Sequence, residues 1–316
     1  GEFEYAWNLQ VEPEVLGQME AAGKGTIVSA YGTSVERLMV NFTNPDPALG
    51  DERATLKHPH PFLTDTAVTK AMSLAIDREI LVEVGYGAAG TVTCNVLPAP
   101  PVYNSTTNDW CKTQDVAAAN ALLDEAGGVK GSDGSREKDG MRLSVLFQTS
   151  TNSVRQGTQA LIKQMWSDIG VEPELRNIDA SVFFGGDQSS PDTFQKFFAD
   201  IEMYTNNFDG TDPEKYMSNW ACSEIPNPSN AWLGDNMPRF CDPAYDALVA
   251  EYGKTAGQDA RAEIAKKMND MLIGAGAIIP RIHRGGVSAH ANSLGGVKMT
   301  DWDSELWNIA DWYRID

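Results

Sequence analysis

Cysteines, histidines and oxygen-rich loops are the groups in this sequence with the chemistry to bind a metal, exchange electrons or support catalysis. The four cysteines, Cys94, Cys111, Cys222 and Cys241, fall as two close pairs. Neither pair has zinc-ribbon spacing, and no Cys-x-x-Cys occurs, so the pattern speaks against a metal ribbon and a dithiol redox centre. Each pair brackets a loop rich in Pro and Asn. Disulfides 94–111 and 222–241 are the natural pairing, each stabilising by roughly 3 kcal/mol through loop restriction; the alternative is four free buried thiols. His58 and His60 sit in KHPHPF, with His283 and His290 near the end. Their spacing fits no helical metal motif, and surface positions in loops or at strand ends are expected. Asn207–Asp212 (NFDGTD) alternates oxygen side chains around Gly210 as a calcium loop does, but Glu214 comes too early to be the bidentate ligand. No metal and no cofactor is therefore assigned.

Nucleophile and nucleotide motifs are missing too. There is no Gly-x-Ser-x-Gly, no Walker loop and no Gly-x-Gly-x-x-Gly after a strand. The glycine-rich stretch 127–140 (GGVKGSDGSREKDG) follows a helix and precedes a strand, the reverse of a phosphate cradle, and reads as a flexible surface hairpin. Without a nucleophile–base pair or a metal cluster, no catalytic residue is assigned and an enzyme is not expected.

The elements that would position any site are legible from period and punctuation. A helix over 64–84 carries Val68, Ala71, Met72, Ala75, Ile76 and Ile80 on one face, with Gly85 to stop it. Further helices are expected over 115–126, 154–169, 242–252 and 258–273, ending at Gly127, Gly170, Gly253 and Gly274. Asp242 is placed as an N-cap with Pro243 at the first helical position. Strands are expected over 26–31, 38–42, 142–148, 172–178, 200–204 and 278–283, each rich in β-branched or aromatic residues. Their alternation with helices predicts an α/β domain with a mixed sheet.

At 316 residues the chain exceeds what one hydrophobic core usually serves, so two lobes are expected. Its 25 basic and 44 acidic residues leave a net charge of −19, which repels phosphate backbones and anionic lipid surfaces. That charge disfavours a nucleic-acid partner or a membrane-surface role. No apolar run approaches the ~20 residues needed to span a bilayer. Gly1–Tyr5 has neither the charged start nor the apolar core of a signal peptide.

One long stretch, LMVNFTNP…HPFLTDTAVTKAMSLAIDREILVEVGYG (38–87), resembles the signature region of the peptide/nickel-type extracellular solute-binding proteins of ABC importers. Asn41, Pro61, Phe62, Val68, Ala71, Ala75, Ile76, Asp77 and Arg78 carry the match, and Thr69 stands where that family usually has Arg. The resemblance continues in register through AAANALLDEAGG (117–128), QALIKQMWSDIGVEPEL (159–175), RFCDPAYDALV (239–249) and the closing AIIPRIH. Together these pieces cover nearly the whole chain.

The resemblance implies a class II periplasmic-binding-protein-like fold: a mixed-sheet second lobe over 34–283, with 1–33 and 284–316 belonging to a partial first lobe. GEFEYAWNL is similar to a mid-chain segment of the family, which implies that a leading region with its secretion or lipoprotein signal lies upstream. The two crossings, near Thr33 and His283, would be hinge strands that let the lobes close over a solute. The implied role is capture of peptides outside the cytoplasm, in the periplasm or at the outer face of the membrane, by a monomer that delivers them to permease subunits. Oligosaccharide or metal-chelate cargo, or a sensor built on the same scaffold, are the alternatives. Peptide binders of the family hold the α-ammonium with an aspartate four residues before a proline, which implies Asp209, with Pro213 behind it. Asp-Gly is also a turn signal in its own right, and Asp212 reads as the cap of the following turn. Tyr204 and Phe208 beside Asp209, and Trp220 and Trp232 beside the second cysteine loop, are candidates to stack on the solute, with ordinary core packing as the alternative. That cysteine loop is expected to rim the cleft.

Overall fold

The structure, a computed structural model, describes residues 2–208 and 210–315. Strand β1 (Tyr5–Ala6), helix α1 (Pro13–Ala21) and β2 (Gly25–Ala30) come first. They are followed by β3 (Val35–Val40), α2 (Thr66–Leu74), α3 (Arg78–Gly85), β4 (Gly90–Val92) and α4 (Val116–Glu125). A small meander, β5 (Val129–Lys130), β6 (Arg136–Lys138) and β7 (Met141–Arg142), leads into a parallel unit of β8 (Ser144–Ser150), α5 (Ser153–Asp168) and β9 (Glu172–Ile178). Then come α6 (Ala180–Phe183), β10 (Ile201–Asn206), α7 (Glu214–Ser218), α8 (Pro243–Tyr252), α9 (Gln258–Gly274), β11 (Ile278–Arg284) and β12 (Gly286–Ala291). The hairpin of β13 (Leu294–Gly295) and β14 (Tyr313–Arg314) closes the chain.

Two sheets organise these elements. The larger has six strands in the order β4-β11-β3-β10-β8-β9, parallel within β10-β8-β9 and antiparallel elsewhere. It is the expected mixed sheet. The smaller has three antiparallel strands in the order β1-β12-β2. Apolar clusters cover both faces of the large sheet. On one side Leu38 and Val40 meet Val68, Met72, Ile162 and Trp166. On the other Met39 meets Met217, Tyr245, Met268 and Leu272. A strand sandwiched between two helical layers has no solvent face, which accounts for the burial of every residue of β3. Glu36 and Arg37 lie in that buried run, so their charges must be matched inside the protein.

Caps and stops act as the sequence predicts in most places. Asp115 and Asp242 accept from Ala118 and Ala244 backbone N–H groups at the starts of α4 and α8. Gly127 and Gly170 take positive φ after α4 and α5. The expected helix over 64–84, however, is two helices. Asp77 caps α3 by accepting from Ile80 N–H. The buried Arg78 guanidinium donates to the Ser73 and Ile76 carbonyls around the junction of the two helices, and also to the Cys111 and Pro280 carbonyls. The apolar period runs on through the break, which hides it from pattern reading. After α9 the chain turns at Gly276 (φ +75°), two residues beyond the expected Gly274.

Two other expectations change. The stretch over 127–140 is a hairpin, but Arg136 ties it down: its buried guanidinium donates to the Gly128 and Ile169 carbonyls and to Asn120, and meets Asp124. His60 is buried and not a surface residue. Its Nδ1 accepts from Leu63 N–H at 3.0 Å, so Nε2 carries the proton and donates to Asp200 at 2.8 Å. His58 stays at the surface beside Glu52. Both disulfides form in the expected pairing, with Cα atoms 5.9 Å apart for Cys94–Cys111 and 4.7 Å for Cys222–Cys241.

Candidate functional site

The chain passes between the two sheets twice, at Tyr31–Ser34 between β2 and β3 and at Gly285 between β11 and β12. These crossings are bonded to each other and to the loop before β4. Arg284 N–H donates to the Ser34 carbonyl at 2.9 Å, and Gly285 N–H to the Ala89 carbonyl at 2.8 Å. The His283 ring nitrogen Nε2 meets the Gly32 carbonyl at 2.8 Å, and Tyr31 packs edge-on against that imidazole at 5.2 Å. Gly32 is required sterically: a Cβ there would lie 2.5 Å from the Asp301 carbonyl oxygen.

A cavity of about 520 Å³ opens at these crossings. Its walls come from both crossings, from the end of β10 (Thr205, Asn207, Phe208), from Arg155 at the start of α5, from Trp7, Asn8 and Gln10, and from the segment 299–305. The end of β10 is held from two sides. Thr33 Oγ1 accepts from Phe208 N–H at 3.1 Å and donates to the Phe208 carbonyl. Gly210 N–H donates to the Trp302 carbonyl at 3.0 Å. Phe208 is therefore tied to the first crossing and Gly210 to the 299–305 wall, and the cavity is lined by elements of both sheets.

The charged groups at the cavity floor are unequal in number. Glu36 is wholly buried and accepts from Arg155 at 3.0 Å; Arg281 lies 3.8 Å away, and Arg284 adds a third guanidinium nearby. Burial raises the Glu36 pKa, but the charges of Arg155, Arg281 and Arg284 outweigh it and hold the carboxyl at about 2. The same pocket of charge surrounds the buried Tyr86 phenol, which burial and the Glu36 charge push up to about 12. Across the cavity Asp301, Asp303 and Glu305 supply carboxylates; Glu305 accepts from Tyr5 Oη at 3.1 Å and from Ser288. A basic floor facing an acidic wall suits a dipolar occupant.

The structure separates the residues singled out from sequence. Phe208 lines the cavity and packs its ring on Tyr216 at 5.5 Å. Asp209, its neighbour, lies outside the described residues. Tyr204 and Trp220 are buried around Arg37, whose guanidinium sits 5.6 Å and 5.5 Å from their rings, and neither lines the cavity. Both serve to bury a charge, the role that the excess of aromatics beside β3 makes possible. Trp232 packs edge-on against Phe198 at 5.7 Å, also away from the cavity. The described residues between Cys222 and Cys241 are not among those lining this cavity; Asn236 anchors that loop to the Trp220, Ala221 and Phe240 carbonyls. Asp212 caps Glu214 N–H at 3.0 Å and meets Arg261 at 2.7 Å, which commits its oxygens to protein partners.

Sequence reasoning missed Arg155, Arg284 and the 299–305 wall. The available signal was two arginines inside the apolar strand IIPRIHR, since charge in a buried strand demands a partner or a ligand. Among the described residues no group of three or more His, Cys, Asp or Glu side chains is placed to hold a metal ion, and no helix is long and apolar enough to cross a membrane.

Comparison with known proteins follows this geometry. The family model "Bacterial extracellular solute-binding proteins, family 5 Middle" matches residues 4–227. The dipeptide-binding protein of Pseudomonas aeruginosa is 22% identical over 248 residues, 77% of this chain and 42% of that protein. Among solved structures, NikZ from Campylobacter jejuni in complex with Ni(L-His) superposes with a TM-score of 0.79 at 19% identity, over 99% of this chain and 58% of that one. The oligopeptide-binding protein AppA from Bacillus subtilis, in complex with a nonapeptide, gives 0.78 at 17% identity, over 100% and 57%. The chain thus spans about half the length of the relatives it matches, and it shares their periplasmic-binding-protein-like α/β fold.

Proposed function

Starting from a chain that belongs to the bacterial extracellular solute-binding proteins of family 5, which are binding proteins and not enzymes, we propose that it is the substrate-binding component of an ABC importer that captures peptides outside the cytoplasm. In this reading residues 34–283 form the solute-binding lobe. Residues 1–33 and 284–316 belong to the other lobe, and the crossings at Tyr31–Ser34 and Gly285 are the hinge. The protein acts as a monomer that hands its solute to the membrane permease.

The observation that carries the reading is the cavity at the two crossings, with Phe208 tied to Thr33 on one side and Gly210 to Trp302 on the other. A solute held there bridges both sheets and biases the angle between them, which is how a hinged receptor signals occupancy. Asp209 anchors the peptide α-ammonium, and Phe208 contributes an apolar wall. The relatives' names agree in kind, being dipeptide- and oligopeptide-binding proteins. The likeness to NikZ with Ni(L-His) supports a second reading, a metal chelate in the same cavity.

Native mass spectrometry of the protein purified from its own host tests both. A ladder of peptide masses that disappears on Asp209→Ala supports the peptide reading and its anchor. A single metal-chelate mass that survives Asp209→Ala overturns both and leaves the transport role.

A further inference from the structure

We propose that a second cavity, at the end of the large sheet remote from the crossings, binds a small monocarboxylate with an apolar body, its carboxylate held by Arg53. The site is independent of the peptide reading, since it shares no residue with the cavity at the crossings.

The sheet itself sets the two cavities apart. β3 leaves the crossings at Val35 and delivers Asn44–Pro47 to the far end, where β8 and β10 begin. At ~3.3 Å per strand residue, that run separates the two ends by roughly 20 Å. A cavity of about 440 Å³ opens there, within the ~300–1,000 Å³ of small-molecule sites. Pro45, Phe62, Met141, Leu146 and Phe198 give it apolar walls, and Arg53 lines it too. Trp232, which lies away from the crossings, packs edge-on against Phe198 at 5.7 Å and so braces this wall.

Arg53 is the unbalanced charge. Its guanidinium is half-buried and lies 4.3 Å from the centre of the Phe198 ring. Nε donates to the Pro45 carbonyl and Nη2 to the Phe198 carbonyl at 3.3 Å, so its hydrogen-bond partners are neutral. Among the described residues no carboxylate comes within ion-pair distance of it. Burial lowers its pKa, against the raising effect of Asp46 and Asp200. A guanidinium partly stripped of water and left with neutral acceptors gains most from an anion that reaches its free edge.

The other charged groups of the cavity are already engaged. Asp200 accepts from His60 Nε2 at 2.8 Å and from Leu146 N–H at 2.6 Å. Asp46 accepts from Ala48 N–H at 2.8 Å, and Arg142 meets Glu172 at 3.5 Å and also Asp133. The two aspartates decide the kind of anion. Their charges repel a dianion such as a phosphate ester, whereas a single carboxylate matches a single guanidinium. The walls favour an apolar body behind it.

The test is isothermal titration with 3-phenylpropionate, 3-phenylpropanamide and phenyl phosphate, repeated on Arg53→Gln and Met141→Glu. The expected result is binding of the propionate at least tenfold tighter than of the amide or the phosphate, with the gap to the amide closing in Arg53→Gln. Met141 is 47% exposed, so a charge there is tolerated by the fold. Met141→Glu should weaken the propionate at least threefold and leave the amide unchanged. Propionate binding that ignores both variants places the acid elsewhere and overturns the site. Amide or phosphate bound as tightly as the acid overturns the monocarboxylate assignment, and no binding of any probe sinks it outright. The comparison of the three probes on the unmodified protein decides the matter even where Arg53→Gln folds poorly.

Discussion

Glu36 on β3 and Arg155 on α5 meet at 3.0 Å, with the carboxylate wholly buried and the guanidinium side chain 8% exposed. This pair joins the central strand of the large sheet to the first turn of its longest parallel unit, and it sets the charge at the cavity floor.

Replacing Glu36 by Gln removes the one anion among three buried guanidiniums. The expected cost is about 3–5 kcal/mol of unfolding free energy, read as a lowered urea midpoint at neutral pH. The carboxyl is held at about 2 against an ordinary 4.5. Its contribution is complete above 4.5 and is lost as pH falls towards 2, amounting to about 3 kcal/mol. Stability of the unmodified protein should therefore fall across that window, and Glu36→Gln should be flatter there. Equal slopes for the two proteins would assign acid sensitivity to other groups.

His283 donates to the Gly32 carbonyl as a neutral ring, and burial lowers its pKa below the usual 6.5, against the raising effects of Gly32 and Asp301. A depressed histidine contributes stability that is present above its unfolded value and lost as pH falls through the folded one. Amide exchange at Tyr31–Ser34 should accelerate as pH drops below 6.5, after correction for intrinsic rates. In His283→Asn that acceleration should be missing.

The Cys94–Cys111 bridge fixes the carbonyl of Cys111, which accepts from the buried Arg78 at 2.9 Å. Changing both cysteines to Ala should cost about 3 kcal/mol through loop restriction lost from the unfolded chain, with a comparable effect for Cys222 and Cys241. Intact-mass analysis should show no iodoacetamide uptake before reduction and four adducts after reduction and unfolding, matching the four cysteines. Adducts on the unreduced protein would contradict the pairing.

Gly276 has φ +75°, and an added Cβ would sit 2.0 Å from Thr69 Oγ1. Gly276→Ala should destabilise by about 2 kcal/mol from the backbone conformation and the clash together. Adding Thr69→Ala removes Oγ1 but leaves the residue 69 Cβ 2.6 Å from the added methyl, so the double variant should recover only a part of the loss in thermal melts. Full recovery would mean that the left-handed conformation carries no cost here.

Local signals were legible wherever one or two adjacent residues decide the outcome. Asp115 and Asp242 cap their helices, and Gly127 and Gly170 end theirs, because capping is satisfied within one turn of backbone. The cysteine pairs were legible because each closes a short loop. The break at Ala75–Asp77 was not, because the apolar spacing continues through it and Arg78 is paid for by carbonyls at Cys111 and Pro280, far along the chain.

The amino-acid sequence by itself determined the alternation of strands and helices, the disulfide pairs and the family, since each is written in neighbouring residues or in a motif read in register. Only the tertiary structure decided which side chains face the cavity. Tyr204 turned inward because β10 pairs with β3 and sets its ring beside Arg37, whereas Phe208 reached the cavity because Thr33, 175 residues away, holds its backbone. Arg155, Arg281 and Arg284 came together because elements distant in sequence gather three guanidiniums around Glu36. Electrostatic partners of this kind act across space, and one residue's spacing from the next carries no record of them.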